Sequence, residues 1–121
     1  MDLVANNLSY KPDDQYHLNE VSFNFKEGNL YTILGRTLSG KTTLLKTIAG
    51  LLTPDSGEIE FDGKNFLKVP VWERNVAMVY QQFINYPHLN VFENIAFPLK
   101  QRKIDQSVIN EKVMDALKSV G

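Results

Sequence analysis

The sequence predicts an α/β fold, and three features of the chain support that prediction. First, a short apolar segment over 30–34 runs into a glycine-bounded loop, and residues 43–52 then place apolar side chains at helical spacing. Second, residues 21–25 and 58–61 alternate apolar and polar side chains, a pattern typical of half-buried strands. Third, residues 76–80 form a continuous apolar run, which is typical of a strand buried on both faces.

The first half of the chain predicts an antiparallel β region followed by a helix. Residues 2–10 alternate loosely and predict a strand, and the polar stretch 11–15 with its proline predicts the turn that follows. Apolar spacing predicts a helix over 41–51, and the Pro- and Gly-containing stretch 53–57 ends it.

Asp62 and Gly63 predict a tight turn after the alternating strand. An aspartate at the end of an apolar strand can order Mg²⁺ in nucleotide-binding proteins. However, Glu58 and Glu60 alternate with apolar residues, which favours a solvent-facing antiparallel strand over a buried parallel one. We therefore expect Asp62 to be a turn residue and not a metal ligand.

Two helices are predicted in the second half. Asn90, with Glu93 three residues later, is typical of a helix N-cap, and the helix is expected to stop at Pro98. Apolar residues between 105 and 120 form one helical stripe, and Gly121 follows at the usual position of a C-terminal glycine.

The strongest functional motif lies between the predicted strand 30–34 and the helix. Here called the phosphate loop, it follows the pattern Gly, four residues, Gly-Lys-Thr, and consists of Gly35, Arg36, Thr37, Leu38, Ser39, Gly40, Lys41 and Thr42. Glycines let backbone N–H groups approach phosphate oxygens, and the helix N-terminus adds unpaired N–H groups. We expect Lys41 to reach the β- and γ-phosphates and the Thr42 hydroxyl to bind Mg²⁺. The alternative is a glycine-rich turn that binds no ligand.

Leu38 stands where many such loops carry a third glycine. Two alternatives follow from the conformational freedom that glycine provides. Either the φ angle of Leu38 is negative and its side chain points away from the phosphates, or phosphate binding is impaired.

Composition argues against several classes of function. A net charge of −1 is not typical of a nucleic-acid-binding surface, so we expect no nucleic acid partner. The absence of cysteine excludes disulfides and thiolate metal sites. No apolar run approaches the roughly 20 residues that cross a bilayer, and the first residues lack a signal-peptide pattern, so we expect a cytoplasmic protein.

These motifs together resemble the N-terminal half of the ATP-binding subunit of ABC transporters, over essentially all 121 residues. Gly35 to Thr42, with Thr43 following, matches the family's Walker A motif, and residues 51–59 match the segment after it. Residues 75–81 match the strand that leads to the Q-loop, with Gln81 at the position of the Q-loop glutamine. Residues 86–99 resemble the importers of the carbohydrate-uptake group.

The finer resemblance is to a small branch of these ATPases linked to glycerol or glycerol-phosphate uptake, through residues 37–42 and 79–87. The family implies a P-loop NTPase core with an N-terminal antiparallel β subdomain over about 1–82. It also implies a Q-loop and the start of a helical subdomain over about 83–121, so that the domain is incomplete. Leu38 is interpreted as a marker of this branch more than as a defect.

The resemblance also implies roles for individual residues. ATP and Mg²⁺ would be the cofactors, bound by the residues of the phosphate loop and by Thr43. Gln81 would bind Mg²⁺ or the attacking water, and Lys41 would act with it in catalysis. Tyr10 would stack on adenine, with Tyr16 as the rival for that ring.

Partners follow from the resemblance as well. The segment Phe83–Phe92 would contact transmembrane permease subunits, and a second ATPase subunit would complete a head-to-tail dimer. The protein would then lie on the inner face of the cell membrane, held there by the permease. The family's Ser-Gly-Gly motif, second acidic motif, catalytic glutamate and switch histidine are absent from the 121 residues. We therefore expect this chain alone to bind ATP without hydrolysing it. The alternatives are a truncated nucleotide-binding module and a non-transport ABC-type ATPase.

Overall fold

A computed structural model describes all residues from Met1 to Gly121, which form two compact units, Met1–Val79 and Tyr80–Gly121. The first unit contains β1 (Leu3–Tyr10), β2 (Leu18–Phe25), α1 (Lys41–Ala49), β3 (Ser56–Phe61), β4 (Lys64–Asn65) and a 3₁₀ turn at Phe66–Lys68. The second unit contains α2 (Val91–Gln101) and α3 (Gln106–Val120). None of these helices is both long enough and apolar enough to span a membrane.

The first unit is built on a four-stranded antiparallel sheet in the order β2-β1-β3-β4. Ala5 in the central strand β1 lies opposite Phe23 in β2 and opposite Ile59 in β3. The β3–β4 hairpin turns at Asp62 and Gly63, whose φ angles of 53° and 72° are those of the two-residue turns that suit hairpins. The predicted role of Asp62 as a turn residue is therefore confirmed.

One face of the sheet forms the apolar core, against which α1 packs. The fully buried apolar members are Ala5, Leu8, Leu18, Leu44, Ile59 and Phe66. Leu44 is the contribution of α1, and Thr47, one turn later, is also completely buried. The Thr47 hydroxyl donates a hydrogen bond of 2.8 Å to the carbonyl oxygen of Thr43, so it is satisfied within the helix. This packing fixes the start of α1, and with it the phosphate loop, against the sheet.

Two predicted strands are not formed. Residues 30–34 and 76–80 have no regular secondary structure, and Leu30, Leu34 and Val79 are 95%, 88% and 95% exposed. A strand exists only where neighbouring strands take up its N–H and C=O groups. Neither segment has such a hydrogen-bonded neighbour in this chain, because the sheet is made of other segments. The prediction of strands at 30–34 and 76–80 from their apolar pattern is therefore wrong for this chain.

The first helix ends two residues earlier than predicted, at Ala49. Gly50 adopts a left-handed conformation with φ of 86°, and its N–H donates to the carbonyl of Thr47. The N–H of Leu51 donates to the carbonyl of Lys46 at 2.9 Å. These two bonds are the Schellman arrangement, which ends a helix at a glycine.

The second unit is a pair of helices that pack through Ala96, Ile109 and Val113. As predicted, the Asn90 side chain caps α2 by accepting a hydrogen bond of 2.8 Å from the Glu93 N–H. The predicted stop at Pro98 is wrong, because α2 continues to Gln101. Proline disturbs the hydrogen bond to the preceding turn, but the bonding resumes after it, because the carbonyl of Pro98 accepts from the Arg102 N–H at 3.3 Å. Leu99, in the last turn, packs on the core of this unit.

Candidate functional site

The phosphate loop makes a sharp turn between residue 35 and the start of α1. The N–H of Ser39 donates to the carbonyl of Arg36 at 3.1 Å. Gly40 then starts α1 as its N-cap, with a left-handed φ of 94°. A Cβ at Gly40 would overlap the carbonyl oxygen of His17, so both the backbone angle and the packing require glycine here.

Gly35 closes the other end of the loop. A Cβ at this position would overlap the hydroxyl oxygen of Ser39 and would lie 3.7 Å from Cδ of Lys41. A residue larger than glycine at this position would therefore require the Ser39 side chain to move. The two glycines of the motif therefore close the loop around Lys41.

Lys41 folds back over the phosphate loop. Its ammonium group donates to the carbonyl of Gly35 and, at 2.8 Å, to the carbonyl of Arg36, and it lies 3.3 Å from the Ser39 hydroxyl. No carboxylate pairs with this ammonium. The loop thus holds a positive charge whose hydrogen-bond partners are neutral oxygens.

The start of α1 presents further donors beside Lys41. The backbone N–H groups of Lys41, Thr42 and Thr43 donate no hydrogen bond within the chain, and the first bond of the helix is from Leu44 to Gly40, at 2.9 Å. Thr42 is exposed, and its hydroxyl has no partner within the chain. Free N–H groups, the positive end of the helix dipole and an ammonium without a carboxylate partner together form a site suited to an anion.

Leu38 does not adopt the first of the two expected arrangements, and the second, impaired phosphate binding, stays a prediction. Its φ is positive, at 66°, which contradicts the expectation of a negative angle, and its side chain is 97% exposed. The physical reason is the turn itself, which needs a left-handed residue before Ser39 whatever its side chain. The leucine accepts the strained angle while its side chain stays in solvent, away from Lys41.

A cleft of about 350 Å³ opens beside the phosphate loop. It is lined on one side by Ser39 and Lys41 and on the other by Tyr16, His17 and Leu18. Tyr16 is 54% exposed, and its ring also lies 5.0 Å from the ammonium of Lys11. The cleft therefore combines a cationic, donor-rich end with an aromatic side chain.

Tyr10 has a different environment from that of Tyr16. It is half-buried, packs against the core of the sheet and does not line the cleft. Its ring makes an edge contact with the ring of His17, with centroids 5.7 Å apart. Of the two rings considered for adenine, Tyr16 is thus the one that faces the same cleft as Lys41.

Gln81 and the segment Phe83–Phe92 belong to the second unit. Gln81 is exposed and lies in a bend, and Phe83 and Ile84 are largely solvent-exposed. Asn94 holds part of this segment against α2, because its amide group bonds to both the N–H and the carbonyl of Tyr86, at 2.8 and 3.1 Å. Sequence reasoning missed Asn94, whose only signal was a polar residue among the apolar positions of the helix.

No group of three or more His, Cys, Asp or Glu side chains could hold a metal ion. A magnesium ion at this site would therefore depend mainly on phosphate oxygens and water. This is the usual way in which Mg²⁺ binds at nucleotide sites, with few protein ligands.

The glycine-bounded loop with its lysine, placed at the N-terminus of a helix that packs on a sheet, defines a P-loop protein. Residues 18–121 match the family described as ABC transporter, and the chain belongs to this family. The match covers the phosphate loop, all three helices and the segment that contains Gln81.

Curated relatives and a solved structure agree with this assignment. The chain is 41% identical over 120 residues to a spermidine/putrescine import ATP-binding protein PotA of Fusobacterium nucleatum subsp. nucleatum, covering 99% of this chain and 32% of that protein. It is also 41% identical over 119 residues to the PotA protein of Mycoplasma capricolum subsp. capricolum, covering 98% of this chain and 34% of that protein. The chain thus spans about a third of the length of these relatives.

The solved structure is the ATP-binding cassette MJ0796, described as a dimer in a post-hydrolysis state bound to ADP and Pi. It superposes with a TM-score of 0.81 at 28% identity, over 96% of this chain and 56% of that one. The predicted α/β fold of ABC type, with an antiparallel sheet and helices, is confirmed.

Proposed function

We propose that this chain is the nucleotide-binding part of an ATPase subunit that energises a membrane importer. The observation that carries the proposal is the arrangement of Lys41, whose ammonium has no carboxylate partner and lies over a loop that leads into three free backbone N–H groups. Family membership and the relatives' description as import ATP-binding proteins support the same function.

Lys41 would bind the phosphates by exchanging partners. Its ammonium now contacts the carbonyl oxygens of Gly35 and Arg36, which carry only partial charge. An anionic phosphate oxygen is a stronger acceptor for a cation than a neutral carbonyl is. The N–H groups of Thr42 and Thr43 need no such exchange, because they have no acceptor to give up.

Thr42 and Gln81 are the proposed protein ligands of Mg²⁺. The ion, when bound with ATP, would neutralise charge on the β- and γ-phosphates. Thr42 has an exposed hydroxyl one residue after Lys41, which is suited to an ion held mainly by phosphate oxygens. Gln81 is proposed by its match to the family's Q-loop glutamine and by the ability of an amide oxygen to bind a hard cation.

The adenine base is proposed to stack on an aromatic ring next to the phosphate loop. The position of Tyr16 in the cleft favours it over Tyr10, although Tyr10 is the ring at the matching family position.

Permease subunits are proposed to bind the segment Phe83–Phe92, and a second ATPase subunit is proposed to complete the catalytic sites. Phe83 and Ile84 are exposed apolar side chains, which are common at protein interfaces. The similar ATP-binding cassette MJ0796 is described as a dimer, which supports the proposal of a second ATPase subunit. Such an assembly would place this chain on the inner face of the membrane.

The solute is proposed to be a sugar, glycerol or a related polyol, on the resemblance of residues 37–42 and 79–87 to the glycerol branch and of residues 86–99 to the carbohydrate-uptake group. The second candidate is a polyamine, favoured by the names of the PotA relatives. Uptake of labelled glycerol and labelled spermidine by cells with and without the gene would separate the two. Loss of spermidine uptake alone would exclude the polyol assignment.

Nucleotide binding is tested by titrating the protein with ATP and comparing Lys41→Ala with Lys46→Ala. Both lysines lie on α1, but Lys46 is exposed and lies in the last turn of the helix, whereas Lys41 is its first residue. We expect Lys41→Ala to weaken ATP binding at least tenfold and Lys46→Ala to leave it unchanged. Equal binding by wild type and Lys41→Ala would overturn the proposed function.

A further inference from the structure

His17 joins two parts of the nucleotide cleft through its backbone. Its N–H donates to the carbonyl of Tyr10 at 2.8 Å and so closes residues 11–16 into a loop, here called the base-side loop. The carbonyl carbon of His17 would lie 3.1 Å from a Cβ at Gly40. The backbone of His17 therefore packs directly on the N-cap residue of α1. The base-side loop and the phosphate loop thus meet at this residue.

The imidazole ring makes a second connection between the same two parts. Its Nδ1 lies 3.3 Å from the hydroxyl oxygen of Thr43, in the first turn of α1. Its Nε2 lies 3.9 Å from a carboxylate oxygen of Asp13, within the base-side loop. The ring also touches the edge of Tyr10 and lines the cleft together with Tyr16 and Lys41.

We propose that His17 is a positioning residue that couples the base-side loop to the start of α1, and that this coupling gives the site its preference for nucleoside triphosphates over bare polyphosphate. The inference rests on the proposed function and deepens it. It concerns how the two ends of one ligand are held at a fixed separation, and not whether phosphate binds.

A nucleoside triphosphate and inorganic tripolyphosphate would touch different parts of this site. A nucleoside triphosphate contacts both the phosphate loop and the base-side loop, so its affinity includes the cost of fixing one loop relative to the other. The hydrogen bond between His17 and Thr43 fixes the two loops relative to each other before the ligand binds, so that binding does not have to order them. Inorganic tripolyphosphate contacts the phosphate loop alone, and its affinity does not depend on where Tyr16 is held.

A purely structural histidine would behave differently. If His17 only supported the fold of the phosphate loop, its loss would weaken both ligands to the same extent. A coupling role changes the ratio of the two affinities. The ratio is therefore a measurement that separates positioning from general stability.

The test is a titration of the protein with ATP and with inorganic tripolyphosphate for wild type, His17→Ala, His17→Phe and His17→Asn. Asp14→Ala is the matched control, because Asp14 is an exposed residue of the same loop. We expect His17→Ala to weaken ATP about five- to tenfold, as for the loss of one hydrogen bond, and tripolyphosphate less than twofold. His17→Phe keeps a ring without the nitrogen and should behave like His17→Ala, and His17→Asn, which can place an amide near Nδ1, should recover most of the ATP affinity.

Parallel loss of both ligands in His17→Ala, or unchanged ATP affinity in both His17→Ala and His17→Phe, would overturn the inference. If His17→Ala fails to fold, His17→Phe provides the same comparison, because it retains the ring contact with Tyr10. The failure of the proposed function is a separate result: wild-type protein would then bind neither ligand, or Lys41→Ala would bind both as well as wild type does.

Discussion

The guanidinium carbon of Arg74 lies 4.8 Å from the centre of the Phe66 ring, and the same guanidinium binds the end of α1. Two of its hydrogen bonds go to the carbonyls of Thr47 and Ile48, at 3.2 and 3.3 Å. Two more go to the carbonyls of Val69 and Leu67, at 2.9 and 3.2 Å. Burial lowers the pKa of Arg74, and the carbonyls at the helix end are suited to a cation. Arg74 therefore fixes the helix that carries Lys41 to the chain after β4.

Replacing Arg74 by lysine should destabilise the first unit. The single ammonium of lysine cannot bond at once to the carbonyls at the end of α1 and to those of Leu67 and Val69. Lysine also loses the planar group that stacks on Phe66. We expect Arg74→Lys to lower the free energy of unfolding by about 2 kcal/mol, and Arg74→Ala by about 3 kcal/mol, as for the loss of hydrogen bonds to a charged group. Urea unfolding measures both. Lys68→Ala, an exposed cation in the neighbouring 3₁₀ turn, is the control and should change the free energy by less than about 0.5 kcal/mol.

Gly57 and Gly63 share a backbone conformation but differ in their surroundings. Their φ angles are 96° and 72°, so alanine is strained at both, at about 1 kcal/mol each. A Cβ at Gly57 would also lie 2.6 Å from Cα of Leu8, whereas nothing lies within 4 Å of a Cβ at Gly63. Gly57→Ala should therefore cost about 3 kcal/mol or more in the free energy of unfolding, because β1 and β3 must separate. Equal costs for the two variants in thermal or urea unfolding would contradict this account.

Sequence alone predicted the local features of the fold and the site, but not the long-range ones. The loop before a helix that starts at Lys41, the N-cap Asn90 and the turn at Asp62 follow from backbone chemistry within a few residues, and these predictions agree with the structure. The strands at 30–34 and 76–80 depend on partners elsewhere, which a periodic pattern does not reveal. For the same reason, the contact of His17 with Thr43, across 26 positions, had no signal in the sequence.

Leu38→Gly should change the protein little. The substitution relieves a strained φ of 66°, which stabilises the fold by about 1 kcal/mol. Glycine also increases the conformational entropy of the unfolded chain, which offsets much of that gain. We expect the free energy of unfolding to change by less than about 0.5 kcal/mol and ATP affinity by less than tenfold. Leu38→Val is the matched variant, because a β-branched residue is poorly tolerated at positive φ, and it should weaken both quantities. A tenfold gain in ATP affinity with glycine would show that the leucine impairs binding.

Asn94→Ala should loosen the segment before α2 without unfolding the helix pair. The side-chain amide donates to the carbonyls of Tyr86 and Leu89, both at 3.1 Å, and its oxygen accepts from the Tyr86 N–H at 2.8 Å. Without these bonds, the Tyr86 amide should exchange with solvent at least tenfold faster, a change of about 1.4 kcal/mol in local opening. Hydrogen exchange measures this, with Asn110→Ala on α3 as the control. Unchanged protection of Tyr86 in Asn94→Ala would show that the segment is held by its apolar contacts.

Tyr16→Ala should weaken ATP binding more than Tyr10→Ala does once differences in stability are taken into account. Tyr16 is 54% exposed in the cleft that contains Lys41, whereas Tyr10 packs on the core. Stacking of a base on an aromatic ring contributes about 1–3 kcal/mol, so Tyr16→Ala should weaken ATP about tenfold or more and leave tripolyphosphate unchanged.

Phenylalanine variants separate the ring from the hydroxyl at both positions. Tyr16→Phe should bind ATP like wild type, because stacking needs only the ring. Tyr10→Ala should lower the free energy of unfolding by removing a half-buried side chain, and its ATP affinity, measured well below its unfolding midpoint, should stay within about twofold of wild type. The reverse result, with a stacking loss in Tyr10→Ala and none in Tyr16→Ala, would assign the adenine to Tyr10.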